Sequence, residues 1–379
     1  MATHTEQTAP WWPLAAVGAG VIALCYGFAR YAYGLFVPRF TETFGLSTAA
    51  VGVLGGVSTA GYGVGLLLAP KVSAHSARGT VLLAGTAATT GLALMALAPD
   101  VVVFGAGIAV AGGSAGLVSP GVAQLIGETV GDGGQARAQT WANTGTGLGL
   151  AASAFTPLVA FGWPVIWAAF AGLGVAMTLV AWRTLPRTQP AEAALGKTPG
   201  LTPLVLNSVL IGVTSAPYWT FSSSRLTEAG LGPAAATWCW FTIGVGGLLG
   251  GLAGRVAERI GLPAANLTTW TLAAAGIALL ALPNPGLGGA LVSSALFGCT
   301  YMALTGLCIV WAARVSPARP ARGVTWSFVG LGVGQTAAAP LAGAAASAIG
   351  LGPVFGLTGL FALLAWAQLI PAARAVPRP

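Results

Sequence analysis

"RAQTWANTGTGLG" occupies Arg137–Gly149, and "RGVTWSFVGLGVG" occupies Arg322–Gly334. Both follow the frame R-x-x-T-W-x-x-x-G-x-G-x-G, and 322 − 137 = 185 residues separate them. The same offset aligns "STAAVGVLGGVSTAGYGVGLLLA" from Ser47 with "GPAAATWCWFTIGVGGLLGGLAG" from Gly232. One step earlier, "RFTETFGLS" at Arg39 answers "RLTEAGLGP" at Arg225 with a single gap. The chain is thus written twice. The repeat sets two halves, residues 13–184 and 202–371, in parallel orientation. A linker, 185–201, joins them, and short tails, 1–12 and 372–379, flank them.

Composition says what each half is made of. Of 379 residues, 55% are hydrophobic and 6% charged, whereas a soluble chain carries about 25% charge. That is too little to solvate a globular surface, so the chain reads as an all-α integral membrane protein. A spanning helix needs about 20 mostly apolar residues. Twelve such runs lie near 13–37, 47–69, 79–98, 101–126, 138–160, 163–183, 202–224, 233–254, 263–283, 286–313, 324–347 and 351–371. The repeat then matches span 1 to 7, 2 to 8 and 5 to 11.

The basic residues give an orientation. Thirteen fall on one side: Lys71, Arg78, Arg137, Arg183, Arg187, Lys197, Arg255, Arg259, Arg314, Arg319, Arg322, Arg374 and Arg378. Arg39 and Arg225 fall on the other, and Arg30 lies within a span. The positive-inside rule places both termini and the linker in the cytoplasm. The net charge of +8 therefore marks topology, with no clustered patch for nucleic acid. The N-terminus lacks a basic leader region and reads as a retained first span. Cys25, Cys239, Cys299 and Cys308 sit in apolar runs without paired spacing, and His4 and His75 are isolated. Neither a disulfide framework nor a metal site is expected, and no cofactor is implied.

Two six-span halves with both ends inside resemble the major facilitator superfamily (MFS) over the whole chain. The loop "GGLAGRVAERIG" after span 8 is similar to that superfamily's signature, carried here by Gly250, Gly254, Arg255, Arg259 and Gly261. Its counterpart, "GLLLAPKVSAHSARG", keeps Lys71 and Arg78 but has no acidic partner. The first-span segment "GFARYAYGLFVPRF" resembles a bacterial subfamily, the YbfB/YjiJ-like facilitators. The resemblance implies a monomeric transporter of the bacterial inner membrane. It also implies that spans 1, 4, 7 and 10 line a central path, while 2, 5, 8 and 11 form the contact between halves. Small residues four apart let membrane helices approach closely. Gly61/Gly65, Gly145/Gly149, Gly246/Gly250 and Gly330/Gly334 fall on spans 2, 5, 8 and 11, so they are the expected sliding and gating residues, with Arg255 and Arg259 at the signature loop. Gly112/Gly116 on span 4 has the same spacing, which leaves generic close packing open.

Arg30 stands inside span 1, roughly 7 Å beyond the midplane at about 1.5 Å per residue. A charge there costs at least ~2.5 kcal/mol and faces the protein interior as a rule. Helical spacing puts Tyr26 and Tyr33 on its face. By the Arg39/Arg225 alignment its counterpart in span 7 is Ala216, so the charge is not repeated. All eight carboxylates fall in tails, loops or span ends. A guanidinium without an acid suits a bound carboxylate or phosphate through its planar fork. The other reading is a brace bonded to backbone carbonyls at a helix break.

Further candidates come from polar stripes in the spans. Span 7 carries Ser208, Ser215, Tyr218, Ser222 and Arg225 on one face, bent at Pro217. Span 4 offers Ser114 and Gln124, span 10 Tyr301, Thr305 and Cys308, and span 11 the lone amide Gln335. The expected substrate contacts are Arg30, Tyr26, Tyr33, Gln124, Ser215, Tyr218, Ser222, Tyr301, Thr305 and Gln335. Trp219, Trp238 and Trp240 either stack on a substrate ring or anchor the membrane interface.

Secondary transport of a small organic anion by alternating access is the expected function. Proton-coupled efflux of an amphipathic drug or metabolite is the alternative, and a non-transporting sensor or scaffold is an alternative from another class. An enzyme would need positioned His, acid or metal ligands in the membrane, and none is present.

Overall fold

A computed structural model describes residues 11–188, 200–317 and 320–374. Glu192 and Lys197 of the linker, and Arg319 and Arg378, lie outside the described residues. The described chain is all helix, with no strand. The long helices are α1 (Trp11–Phe44), α2 (Thr48–His75), α3 (Ala77–Ala96), α4 (Val101–Thr129), α5 (Asp132–Ala154) and α6 (Trp163–Thr184). They continue with α7 (Thr202–Glu228), α8 (Pro233–Gly250), α9 (Leu262–Leu279), α10 (Gly286–Val315), α11 (Pro320–Ile349) and α12 (Leu351–Arg374). Among the described residues nine helices are long and apolar enough to cross a membrane, or ten if α8 and the short helix after it form one span. α5 is the polar exception, with Gln135, Gln139 and Asn143 in its first turns, and the described apolar part of α12 is short.

Local chemistry sets the helix ends. Ser47 Oγ accepts the Ala50 N–H at 3.2 Å, and Ser76 Oγ accepts the Gly79 N–H at 2.9 Å. Asp100 Oδ1 takes the N–H groups of Val102 and Val103, each at 2.9 Å. These side chains satisfy donors that the first helical turn leaves open. Gly45, at φ 61°, closes α1 in the left-handed region that glycine enters without penalty.

Two boundaries differ from the sequence reading. α5 starts six residues earlier and stops at Ala154, because Pro157 turns the chain into a 3-10 segment, Thr156–Leu158. Span 8 ends at Gly250, and the signature loop folds as a separate helix, Ala253–Ile260, bent by 44° from α8.

Packing repeats as the sequence does. In the first six helices α2 and α3 pack on α4, α1 on α5 and α3 on α6; in the last six α8 and α9 pack on α10, α7 on α11 and α9 on α12. The two sets meet where α2 crosses α11, where α5 crosses α8, and where the end of α1 rests on α7.

Candidate functional site

α1 is uniform neither in winding nor in polarity. Between Trp11–Ile22 and Ala32–Phe44 it passes through a π-helical segment, Ala23–Tyr31, in which the Ala32 N–H bonds the Gly27 carbonyl five residues back. The wider turn needs a neighbour that comes close without a side chain. Gly27 and Gly149 supply it: a Cβ on Gly27 would stand 2.5 Å from the Gly149 Cα. Within this segment Tyr26 and Tyr31, five residues apart, lie with their ring centroids 6.0 Å from each other. Single π turns recur at functional sites.

Arg30 is 4% exposed. Its Nη2 donates to Gln335 Oε1 at 2.6 Å, and its Nη1 to the Tyr31 hydroxyl at 3.4 Å. The guanidinium carbon lies 3.9 Å from the centre of the Tyr62 ring, 5.0 Å from Tyr31 and 5.9 Å from Tyr26. Gln335 Nε2 donates in turn to Ser215 Oγ at 3.1 Å and to the Tyr301 hydroxyl at 3.5 Å. The Tyr31 and Tyr301 hydroxyls are 3.2 Å apart, and Trp219 stacks on Tyr31 at 4.1 Å. A cavity of about 30 Å³ opens beside this cluster, lined by Arg30, Tyr33, Ser58, Ala216, Trp219 and Gln335 among others. The residues come from α1, α2, α7, α10 and α11, so the cluster straddles the contact between the two six-helix sets. No ion pair is described for Arg30, and among the described residues no group suited to hold a metal ion occurs.

The expected contacts separate into two groups. Arg30, Tyr26, Ser215, Tyr301 and Gln335 come together. Tyr33 borders the cavity, although its hydroxyl is donated to the Val51 carbonyl at 3.3 Å. Gln124 instead donates to the Ser73 carbonyl and to Glu128, near the end of α4. Tyr218 turns into α10, bonding Ser293 at 2.9 Å and stacking on Phe297 at 3.7 Å. Thr305 bonds the Tyr301 and Met302 carbonyls of its own helix. Ser222 is buried with no partner for its hydroxyl. The tryptophans divide as well: Trp219 and Trp240 are buried, and Trp238 is on the surface. Tyr62 was not among the expected residues; its only mark in the sequence is a tyrosine between Gly61 and Gly63.

The glycine pairs face helices of their own half. A Cβ on Gly61 or Gly65 would strike α4, and one on Gly145 or Gly149 would strike α1. Gly246 and Gly250 face α10, while Gly330 and Gly334 face α7. All eight pack inside one six-helix set. Other small residues make the contact between sets. Gly52 would bring a Cβ to 2.5 Å from the Ala339 carbonyl oxygen and Gly343 one to 2.7 Å from that of Thr48; Gly147 and Gly244 face each other. Arg255 and Arg259 are exposed on the short helix.

The contacts between sets are not evenly distributed. They run from the helix ends near Arg39 and Arg225 inward to Tyr62 beside Gly332 and to Gly147 beside Leu248. None of the described glycines makes such an approach nearer the side that carries Arg78, Arg137 and Arg314. At these glycine contacts the molecule is closed on the sparsely charged side. A larger hollow, about 360 Å³, opens on that same surface beside Arg39, Glu42 and Trp163. It is remote from the Arg30 cluster, and Arg39 there is already tied to the Pro157 carbonyl at 2.6 Å.

Residues 22–370 match the family model described as "Uncharacterised MFS-type transporter YbfB". The chain belongs to this family of the major facilitator superfamily, whose members are transporters and not enzymes. A search of curated protein sequences finds no match. Solved structures share the fold. A bacterial homologue of the human lysosomal transporter Spinster, inward-facing and unoccupied, is 17% identical with a TM-score of 0.73, covering 97% of this chain and 98% of that one. The human organic anion transporter MFSD10 is 16% identical with a TM-score of 0.72, covering 95% and 100%. A D-xylose–proton symporter is 14% identical with a TM-score of 0.74, covering 95% and 97%.

Proposed function

We propose that this MFS transporter moves a small organic anion across the plasma membrane by alternating access, with Arg30 as the anion's counter-charge. The observation that carries the reading is a buried guanidinium at the contact between the two six-helix sets, answered by an amide, a phenol and ring faces but by no carboxylate. Transport sites near the midplane at a repeat interface are the general arrangement for such carriers. With both termini in the cytoplasm, the side where the glycine contacts gather is extracellular. Among the structural relatives, MFSD10 is named as an organic anion transporter.

Arg30 would fix a carboxylate, and Tyr26, Tyr31, Trp219 and Tyr301 would surround the apolar body of the substrate. The described carboxylates Glu42, Asp100, Glu128, Glu228 and Glu258 all sit at helix ends or in loops, so none of these described acids is a candidate for a proton relay at the site.

A thermal-shift screen tests the reading. Purified protein is melted with a panel of small organic acids and with the neutral amides of the same skeletons. Acids should raise the melting temperature of the wild type and leave Arg30→Ala unmoved. Amides as effective as the acids would contradict it.

A further inference from the structure

Gln335 presents its amide to Arg30 in a defined sense. A guanidinium only donates, so the oxygen and not the nitrogen of the amide must face it; the nitrogen is then free to reach Ser215, 3.1 Å away. The bond joins α1 of the first six helices to α11 of the last six, at 2.6 Å. An amide has the planar shape of a carboxylate without its charge. The residue therefore offers the arginine a neutral acceptor where an ionised one would bind about twice as strongly.

The two acceptors compete for one donor. Gln335 Oε1 holds Arg30 Nη2 at 2.6 Å, beside a narrow cavity of about 30 Å³. A carboxylate that pairs with Nη2 takes the place of the Gln335 oxygen. Arg30 is also the only charged residue in the cavity lining, so the site neutralises one negative charge and no more.

We infer that Gln335 is an internal stand-in for the substrate's carboxylate, and that the site selects monoanionic carboxylates. The inference rests on the anion reading above. In the empty carrier the amide occupies Arg30 and ties α1 to α11. An arriving carboxylate displaces it, and the tie between the two helix sets is released in the same event. Gln335 is thereby a positioning residue: it competes with the substrate for Arg30 and links occupancy to the contact between the sets.

The test is a sign. A direct substrate contact weakens binding when removed, and a competitor strengthens it. Full-length wild type, Gln335→Leu, Gln335→Glu and Arg30→Ala are titrated with sodium benzoate, benzamide and phenyl phosphate, and their melting temperatures are recorded without ligand. Gln335→Leu should bind benzoate about threefold to tenfold more tightly, the size of one lost competing hydrogen bond. Gln335→Glu should melt higher than wild type without ligand and bind benzoate at least about tenfold more weakly, its own carboxylate holding Arg30. Phenyl phosphate, with its charge nearer two at neutral pH, should bind more weakly than benzoate. Where the leucine protein fails to fold, Gln335→Met replaces it. Weaker benzoate binding by Gln335→Leu overturns the stand-in while Arg30→Ala still loses benzoate, which leaves the anion reading in place. Benzamide binding equal to benzoate, undiminished benzoate binding by Arg30→Ala, or no benzoate binding by any of the proteins overturns both.

Discussion

α1 and α7 are the same element written twice, and they agree at one depth and differ at another. At the closed side each carries an arginine bound to backbone. Arg39 donates to the Pro157 carbonyl at 2.6 Å, and Arg225 donates to those of Leu280 and Leu282 at 2.8 and 2.6 Å. These two show what an architectural arginine looks like in this protein: it ties a linker to a helix end, and it appears in both repeats. Deeper in, the repeat breaks. Arg30 faces Ala216 across one cavity that both residues line. Each hydrogen bond described for Arg30 goes to a side chain, and none to backbone. α1 is π-wound at this level, while α7 stays α-helical past Pro217. Two architectural charges, paired and backbone-bound, thus stand apart from a third that is single and left with neutral partners, as the proposed recognition role requires.

The largest effect should come from forcing the symmetry that the protein avoids. Ala216→Arg places a second guanidinium in a cavity with no acid. Each such charge costs at least ~2.5 kcal/mol in a membrane interior, and like charges add to it. Folded protein recovered from size-exclusion chromatography should fall sharply. Adding Arg30→Ala returns the cavity to one charge and should restore the yield. An Ala216→Arg protein as stable as wild type would break the comparison.

A middle-sized effect distinguishes packing within a set from packing between sets. A Cβ on Gly149 would lie 2.6 Å from the Ala23 carbonyl oxygen, against the π segment of its own half. One on Gly147 would lie 2.8 Å from the Gly244 oxygen, in the other half. Overfilling costs about 1–3 kcal/mol, but the two proteins should spend the strain differently. Gly149→Leu should lower the melting temperature. Gly147→Leu can relieve the clash by parting the sets, so it should melt near wild type and expose a cysteine placed at Thr220 to an impermeant thiol reagent added at the closed side. Equal labelling in both variants would count against this division.

The smallest effect concerns the polar stripe of α7. Tyr218→Phe removes bonds to Ser293 and Ser294 and should cost about 0.6 kcal/mol, the mean for such bonds in membranes. Ser222→Ala removes a hydroxyl with no partner and should be neutral or slightly stabilising by chemical denaturation. Reversed order would mean that Ser222 has a role in another state of the cycle.

The repeat, the apolar spans and the odd arginine were legible in the sequence because each is a matter of residue type and period. The partners of Arg30 were legible only in part. Tyr31 follows Arg30 directly, and helical spacing turns neighbours about 100° apart, so its contact with the guanidinium shows only in the side chains. Tyr62 comes from another helix altogether. Ser215 and Tyr218 share a stripe in sequence, yet three residues turn a helix about 60° short of a full revolution, enough to send Ser215 to the site and Tyr218 to α10. Small residues four apart announce a close approach but not the helix approached. That is why Gly61, Gly65, Gly145 and Gly149 lie within the first half, while Gly52 and Gly147 meet the second.

Arg30 acts either in recognition or as a brace, and one paired measurement on Arg30→Ala separates the two: its melting temperature without ligand and its affinity, by calorimetry, for the tightest acid in the screen. Truncating a buried charge contact costs about 2–5 kcal/mol, so affinity should fall by about 30-fold to several thousandfold, while the melting temperature should move little, the relief of a buried charge offsetting the lost bond to Gln335. A lower melting temperature with unchanged affinity would make Arg30 a brace like Arg39 and Arg225, and the anion assignment would fall with it.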